Sequence, residues 1–172
     1  MTAPTDGKNL EELYGLVESI ETAMFTTRRS DGRLVSRPMA TQERDEVADL
    51  WFVTDIESHK MDELEFDRNV NLGYFNTKSY EWVSVSGIAQ ISTDRALIRR
   101  LYKPDWKMWF GAVDDVRDGG PDDPRLALLL VDADSAVYMK RDRPKPMVLF
   151  ELAKGLVTGK APEMGETKKI NM

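Results

Sequence analysis

Leu50-Trp51-Phe52-Val53-Thr54-Asp55-Ile56-Glu57-Ser58-His59-Lys60 changes character midway. Its first half is continuously apolar and aromatic, without the alternation of a half-exposed strand. This marks a strand inside the sheet with both faces covered. From Thr54 onward the chain is polar, and Ser58 is placed to cap a short helix through Met61, Leu64 and Glu65, with Asp62 and Glu63 near the positive end of its dipole. A covered strand therefore runs into a polar loop that opens a helix. Free backbone N–H groups, a hydroxyl, the His59 imidazole and the Lys60 ammonium can converge there on one anion. The competing reading is a capped surface helix with a solvated lysine.

Upstream, residues 23–28 and 34–41 are β-like runs around Ser30-Asp31-Gly32, whose Asp-Gly step supplies the positive φ of a hairpin turn. Before them, Leu10, Leu13, Leu16, Val17 and Ile20 recur at helical spacing, and Asn9 with Glu12 forms a capping box that starts this helix. Downstream, residues 70–75 and 80–92 return to β character. Val83 and Val85 alternate with Ser84 and Ser86, and Gly87 marks a bulge or close approach. Thr93 is placed to cap a helix bearing Ala96, Leu97, Ile98 and Leu101. Residues 103–110 are aromatic and broken by Pro104, residues 111–123 form an acidic, turn-rich surface loop, and residues 126–139 form a long strand or a bent pair of strands. A last helix is expected near residues 147–157, followed by an extended tail from about residue 158. About six strands, clustered as hairpins with helices around them, favour a mainly β, α+β architecture: a small antiparallel barrel with packed helices. An open βαβ sheet is the alternative.

The 172 residues suit one domain spanning residues 1–172, given roughly 150 residues per domain. Apolar residues at 41% and charged residues at 31% match an ordinary globular chain with a core. Lys and Arg number 24 against 30 Asp and Glu, and the net charge of −6 has the wrong sign for wrapping nucleic acid. There is no cysteine, so disulfides, thiol nucleophiles and cysteine metal sites are excluded together. One histidine, His59, leaves little for zinc catalysis or a serine triad, and no metal is expected. Residues 1–9 are polar, and no apolar run approaches the ~20 residues of a membrane helix, so a cytoplasmic protein is expected.

Arg37 lies mid-strand beside Pro38, which cannot donate to a ladder, so an edge or bulge is implied where Arg37 can grip a phosphate with its planar fork. An exposed edge arginine is the plainer alternative. Trp106, Trp109 and Phe110 make an aromatic cluster suited to stacking on a heterocycle, to plugging a barrel end or to a subunit interface. Trp82 belongs to core or interface. Arg28, Arg29 and Arg33 bracket the hairpin turn and should face water. Gly155-Leu156-Val157-Thr158-Gly159-Lys160 has the wrong spacing for a phosphate-binding P-loop, and Asp114, Asp115, Asp118, Asp122 and Asp123 lack the ligand spacing of an EF-hand, which leaves a solvated acidic loop.

In order and spacing, Arg37-Pro38-Met39, the 50–55 strand followed by Ser58-His59-Lys60, Val70-Asn71-Leu72, Val83-Ser84-Val85-Ser86-Gly87, and Trp109-Phe110 before Asp122-Asp123-Pro124 resemble the general stress protein branch of the pyridoxamine 5′-phosphate oxidase-like proteins. The resemblance spans roughly residues 10–165. It implies a six-stranded antiparallel split β-barrel flanked by helices, and a homodimer with FMN at the subunit interface. Arg37 and Lys60 match basic positions that hold the FMN phosphate; His59 stands where the oxidases commonly carry another phosphate-binding arginine, and Ser58 would assist. Pro38 and Met39 would approach the isoalloxazine through the backbone, Val53 and Thr54 would line the ring and ribityl side, and Trp109 and Phe110 would reach the flavin from the second subunit. One departure stands out. The oxidases hold substrate with an arginine and a histidine near the C-terminus, whereas this tail has no histidine, so vitamin B6 phosphate oxidation is not expected. The readings carried forward are a flavin-dependent oxidoreductase, a non-catalytic FMN storage or sensor protein, and a pocket for haem or a deazaflavin.

Overall fold

The computed structural model describes residues 4–141 and 165–172. It is mainly antiparallel and α+β, as expected, with β1 (Thr22–Arg28), β2 (Leu34–Ala40), β3 (Leu50–Asp55), β4 (Asn69–Phe75), β5 (Trp82–Ser92), β6 (Leu126–Lys140) and β7 (Glu166–Asn171). The helices are α1 (Pro4–Ile20), α2 (Lys60–Phe66), α3 (Arg95–Leu101) and α4 (Lys107–Phe110), the last preceded by a 3-10 turn at Pro104–Trp106. The strands form a seven-stranded sheet in the order β2-β1-β4-β5-β6-β3, with β7 also on β6. Every ladder is antiparallel.

β6 explains how one more strand than expected is accommodated. Its long edge takes β3 along Leu126–Val131 and β7 along Ser135–Lys140, so the two lie end to end. Between them Asp49 accepts a bond from the Ala133 N–H at 2.9 Å. The expected extended tail is thus a paired strand where it is described, and the helix expected near residues 147–157 lies outside the described residues.

β3 is covered on both faces as its composition requires, yet it ends the sheet order instead of lying inside it. One face meets the main core of α1, α2 and the sheet, including Leu13, Val17, Phe25, Phe52, Leu72 and Val85. The other meets a smaller cluster of Trp51, Ile98, Trp106, Leu126 and Leu128 under α3 and the aromatic segment. The sheet stays open. Past the end of β2, the Gln42 N–H donates to Trp51 O at 3.0 Å, the nearest approach to closure among the described backbone bonds.

Local chemistry corrects three starting signals. α1 begins at Pro4, whose fixed φ suits a first helical turn, so Asn9 and Glu12 lie inside the helix and are not its cap. They anchor the far end of the sheet: the Tyr138 hydroxyl reaches Asn9 O and Glu12 Oε2 at 3.2 Å each, and Lys168 Nζ reaches Glu12 Oε2 at 2.9 Å. Asp94, not Thr93, caps α3, accepting from the N–H groups of Ala96 and Leu97; a carboxylate is the stronger acceptor for the helix start. At α2 the N-cap is His59 without a side-chain cap bond, and Ser58 turns to other partners. The bulge at Gly87 is where it was expected. A Cβ there would lie 2.3 Å from the carbonyl oxygen of Asp132, so β5 and β6 approach too closely for any side chain.

Candidate functional site

The segment expected to bind an anion comes together around a cleft of about 680 Å³ lined by Arg29, Val35, Arg37, Ser58, His59, Lys60, Asp62 and Glu63. β2, the edge strand, supplies Arg37; the turn after β3 supplies Ser58 and His59; α2 supplies Lys60 and Glu63. The turn is held by Asp55, whose carbonyl accepts the Ser58 N–H at 3.2 Å and the Ser58 hydroxyl at 2.7 Å. Lys60 folds back over it, donating to Thr54 Oγ1 at 2.7 Å and to Ser58 Oγ at 2.9 Å. Thr54 is buried at the end of β3 and forms the floor of this arrangement.

Lys60 is bonded to neutral hydroxyls and paired with no carboxylate within 4.0 Å among the described residues. Burial, and then the positive charge of Arg37, push its ammonium below the ordinary lysine range, against the pull of Asp55 and Glu63. An anion entering the cleft would supply the missing counter-charge and offset both.

Arg37 differs. Its Nη2 donates to Glu63 Oε2 at 2.6 Å and its Nη1 to Thr27 Oγ1 at 2.8 Å, while the Thr27 hydroxyl also donates to Glu63. Burial alone would raise the Glu63 carboxyl, but the bonds from Thr27 and Arg37 and the charge of Arg37 outweigh it and hold it below the usual range. Arg37 is therefore pinned through both terminal nitrogens, and its remaining N–H donors have no partner among the described residues. Thr27 and Glu63 were missed in the sequence; the signal for Glu63 was an arginine mid-strand that needed a counter-charge.

The other expected site residues are distributed more widely. His59 is exposed on the cleft wall. Pro38 is exposed on β2 and Met39 packs partly against the main core, while Val53 packs against the smaller cluster. The aromatic cluster is divided: Trp106 is buried against Trp51 and Tyr102, Phe110 is half-buried, and Trp109 is 77% exposed. Neither Trp109 nor Phe110 lines the cleft of its own chain. Of the loop's aspartates, Asp114, Asp115 and Asp122 are exposed and Asp118 partly so, whereas Asp123 is fully buried against Arg125. Arg28, Arg29 and Arg33 are largely exposed and pair with Asp67 and Asp31.

A second cleft, about 580 Å³, is lined by Tyr14, Arg44, Asp45, Glu46, Asp49 and Asp132 among others. Its arginine stacks on the Tyr14 ring at 4.0 Å and the remaining charges are acidic, so it does not suit an anion. Among the described residues no helix is long and apolar enough to cross a membrane.

Comparison with known proteins gives the same architecture. The family model described as pyridoxamine 5′-phosphate oxidase like matches residues 8–163. The protein bli-3 of Neurospora crassa is 37% identical over 171 residues, covering 98% of this chain and 81% of that protein. A crystal structure described as a general stress protein 26 from Jannaschia sp. CCS1 superimposes with a TM-score of 0.70 at 23% identity, over 96% of this chain and 99% of that one. The general stress FMN/FAD binding protein of Xanthomonas citri does so with a TM-score of 0.59 at 29% identity, over 76% and 87%.

Proposed function

The chain belongs to the pyridoxamine 5′-phosphate oxidase-like family, and from that premise we propose that it is an FMN-binding protein of the general stress type. The observation that carries this reading is Lys60, a half-buried cation held over two hydroxyls beside Arg37 without a carboxylate of its own. The donor set fits a phosphate monoester: Lys60, steadied by Ser58, and Arg37 present charged donors to one volume. Val53 and Thr54 at the end of β3 line the ring and ribityl side, and Pro38 and Met39 on the edge strand approach the ring through backbone groups. The description of the Xanthomonas citri protein as FMN/FAD binding supports the same ligand.

When bound, the flavin supplies hydride or electron transfer, and the protein supplies binding, orientation and exclusion of water. No side chain of the cleft is assigned a step in that transfer. Trp109, exposed on this chain and absent from the lining of its own cleft, is assigned to the flavin of a second copy, so the active unit is a homodimer. Met24, Pro38 and Phe75 lie exposed on the outer sheet face and suit burial in such a dimer.

The purified protein should show a flavin absorption spectrum after loading with FMN, bind FMN more tightly than riboflavin, and scatter light as a dimer. A Soret band, or a monomer that binds FMN with undiminished affinity, would reject the reading. Loaded protein should also form no pyridoxal 5′-phosphate from pyridoxamine or pyridoxine 5′-phosphate with oxygen as acceptor, in an assay where an authentic oxidase does. Such a substrate needs its own positioned cation over the ring, and Lys168 in β7 is already held by Glu12 at 2.9 Å.

A further inference from the structure

α4 contains Lys107–Phe110 alone, and a helix of one turn does not hold itself in water. It is held from below by Arg125. This guanidinium is buried beside the fully buried Asp123 and bonds it in a fork, Nε to Oδ1 at 3.1 Å and Nη2 to Oδ2 at 2.7 Å. Its remaining reach goes to the carbonyls at the end of α4: Nη1 to Phe110 O at 2.9 Å and Nη2 to Gly111 O at 3.0 Å. Asp123 also accepts the backbone N–H groups of Gly119 at 2.7 Å and Arg125 at 2.9 Å, so both carboxylate oxygens are doubly used. Taking two charges out of water is tolerable only with such full satisfaction.

The side chains this clamp fixes in space are left outside. Met108 is 75% and Trp109 77% exposed, so the clamp does not serve to bury them. Arg125 has a second connection through its carbonyl, which accepts the Ile56 N–H at 2.8 Å in the turn that carries Ser58 and leads into Lys60. One residue thus joins the aromatic arm to the phosphate-side turn.

We propose that Arg125, with Asp123, is a positioning residue for flavin binding: it sets the Trp109 arm in the pose in which it meets the isoalloxazine held by a second copy of the chain. The inference rests on the FMN reading above. Arg125 touches no ligand itself and acts through Trp109.

The test is a double-mutant cycle on the full-length, FMN-titrated protein with Trp109→Ala and Arg125→Lys. Lysine keeps the charge but lacks the fork, so the arm should loosen while the core persists. Trp109→Ala should weaken FMN and riboflavin alike by about fivefold, the scale of one aromatic contact. Arg125→Lys should weaken both by about threefold, leave the FMN-to-riboflavin preference unchanged, and cause no further loss in the Trp109→Ala background. Hydrogen exchange should quicken at residues 107–113 and not in β4 and β5. Asp123→Asn, which keeps the shape of the carboxylate, should behave as Arg125→Lys does. Unchanged flavin affinity in Arg125→Lys, despite faster exchange in the arm, would overturn the inference and make the pair purely structural. Losses that simply add would overturn it too, because Arg125 would not act through Trp109. A wild-type protein that binds no flavin removes the functional reading itself, and the inference falls with it.

Discussion

Replacing Lys60 by alanine should weaken FMN binding at least tenfold and leave riboflavin binding nearly unchanged. Lys60 Nζ is fixed by Thr54 and Ser58 at 2.7 and 2.9 Å, so its ordering is largely complete before a ligand arrives. Burial and the neighbouring Arg37 already depress its pKa, so the ammonium is short of counter-charge in the free protein. A phosphate there gains a charge-assisted bond worth roughly 1.5–3 kcal/mol, and about 1.4 kcal/mol corresponds to a tenfold change in affinity. Riboflavin carries no phosphate, so the same substitution removes nothing it used. Calorimetric titration of both ligands into both proteins gives the ratio directly. An equal loss for FMN and riboflavin would move Lys60 from the phosphate to the ring or to the fold.

The segments most legible in the sequence are those whose composition answers to one constraint. Residues 50–53 are continuously apolar because both faces of β3 are covered, and Gly87 is a glycine because Asp132 O leaves no room for a Cβ. The Asp-Gly step of the first hairpin is legible for the same reason, with Gly32 at φ 83°. The position of β3 at the end of the sheet order was not legible, since a strand covered by helices on both sides reads the same wherever it pairs. Residues that serve two partners were misread. Asn9 and Glu12 look like a cap and act as an anchor for Tyr138 and Lys168. Asp123 looks like one more carboxylate of a solvated loop, and only the fold reveals that Arg125, two residues on, turns inward to meet it.

In the site, the cations were legible and the charge that balances them was not. Arg37 invited a phosphate because nothing local explained a guanidinium mid-strand. Its partner Glu63 lies on a separate element and read as a residue favouring the positive end of a helix dipole. That role is minor, since α2 has only seven residues and Glu63 turns its carboxylate to Arg37 and Thr27. A carboxylate inside the cleft proposed for the phosphate alters how that cleft would respond to substitution.

Arg37→Ala should accordingly weaken FMN binding more than Lys60→Ala does, by about a hundredfold, the upper part of the range for one lost charge-assisted contact. The substitution has two effects of the same sign. It removes donors to the phosphate, and it leaves Glu63, whose side chain is only 13% exposed, without the cation 2.6 Å away that neutralises it. Without Arg37 the Glu63 carboxyl moves up from its depressed range under burial, while the Thr27 bond and the charge of Arg29 still favour the carboxylate. The phosphate would then meet a carboxylate where it met a guanidinium, in a partly desolvated cleft where like charges repel more strongly than in water. Glu63→Gln removes that repulsion while keeping an acceptor for Thr27. The double variant Arg37→Ala/Glu63→Gln should therefore bind FMN more tightly than Arg37→Ala, recovering about fivefold to tenfold, with the remaining deficit measuring the lost donors alone. Riboflavin serves as the control, since neither change should alter its affinity comparably. A double variant no tighter than Arg37→Ala would mean that Glu63 does not face the bound phosphate, and the pair would then be a strut between β2 and α2 instead of part of the site.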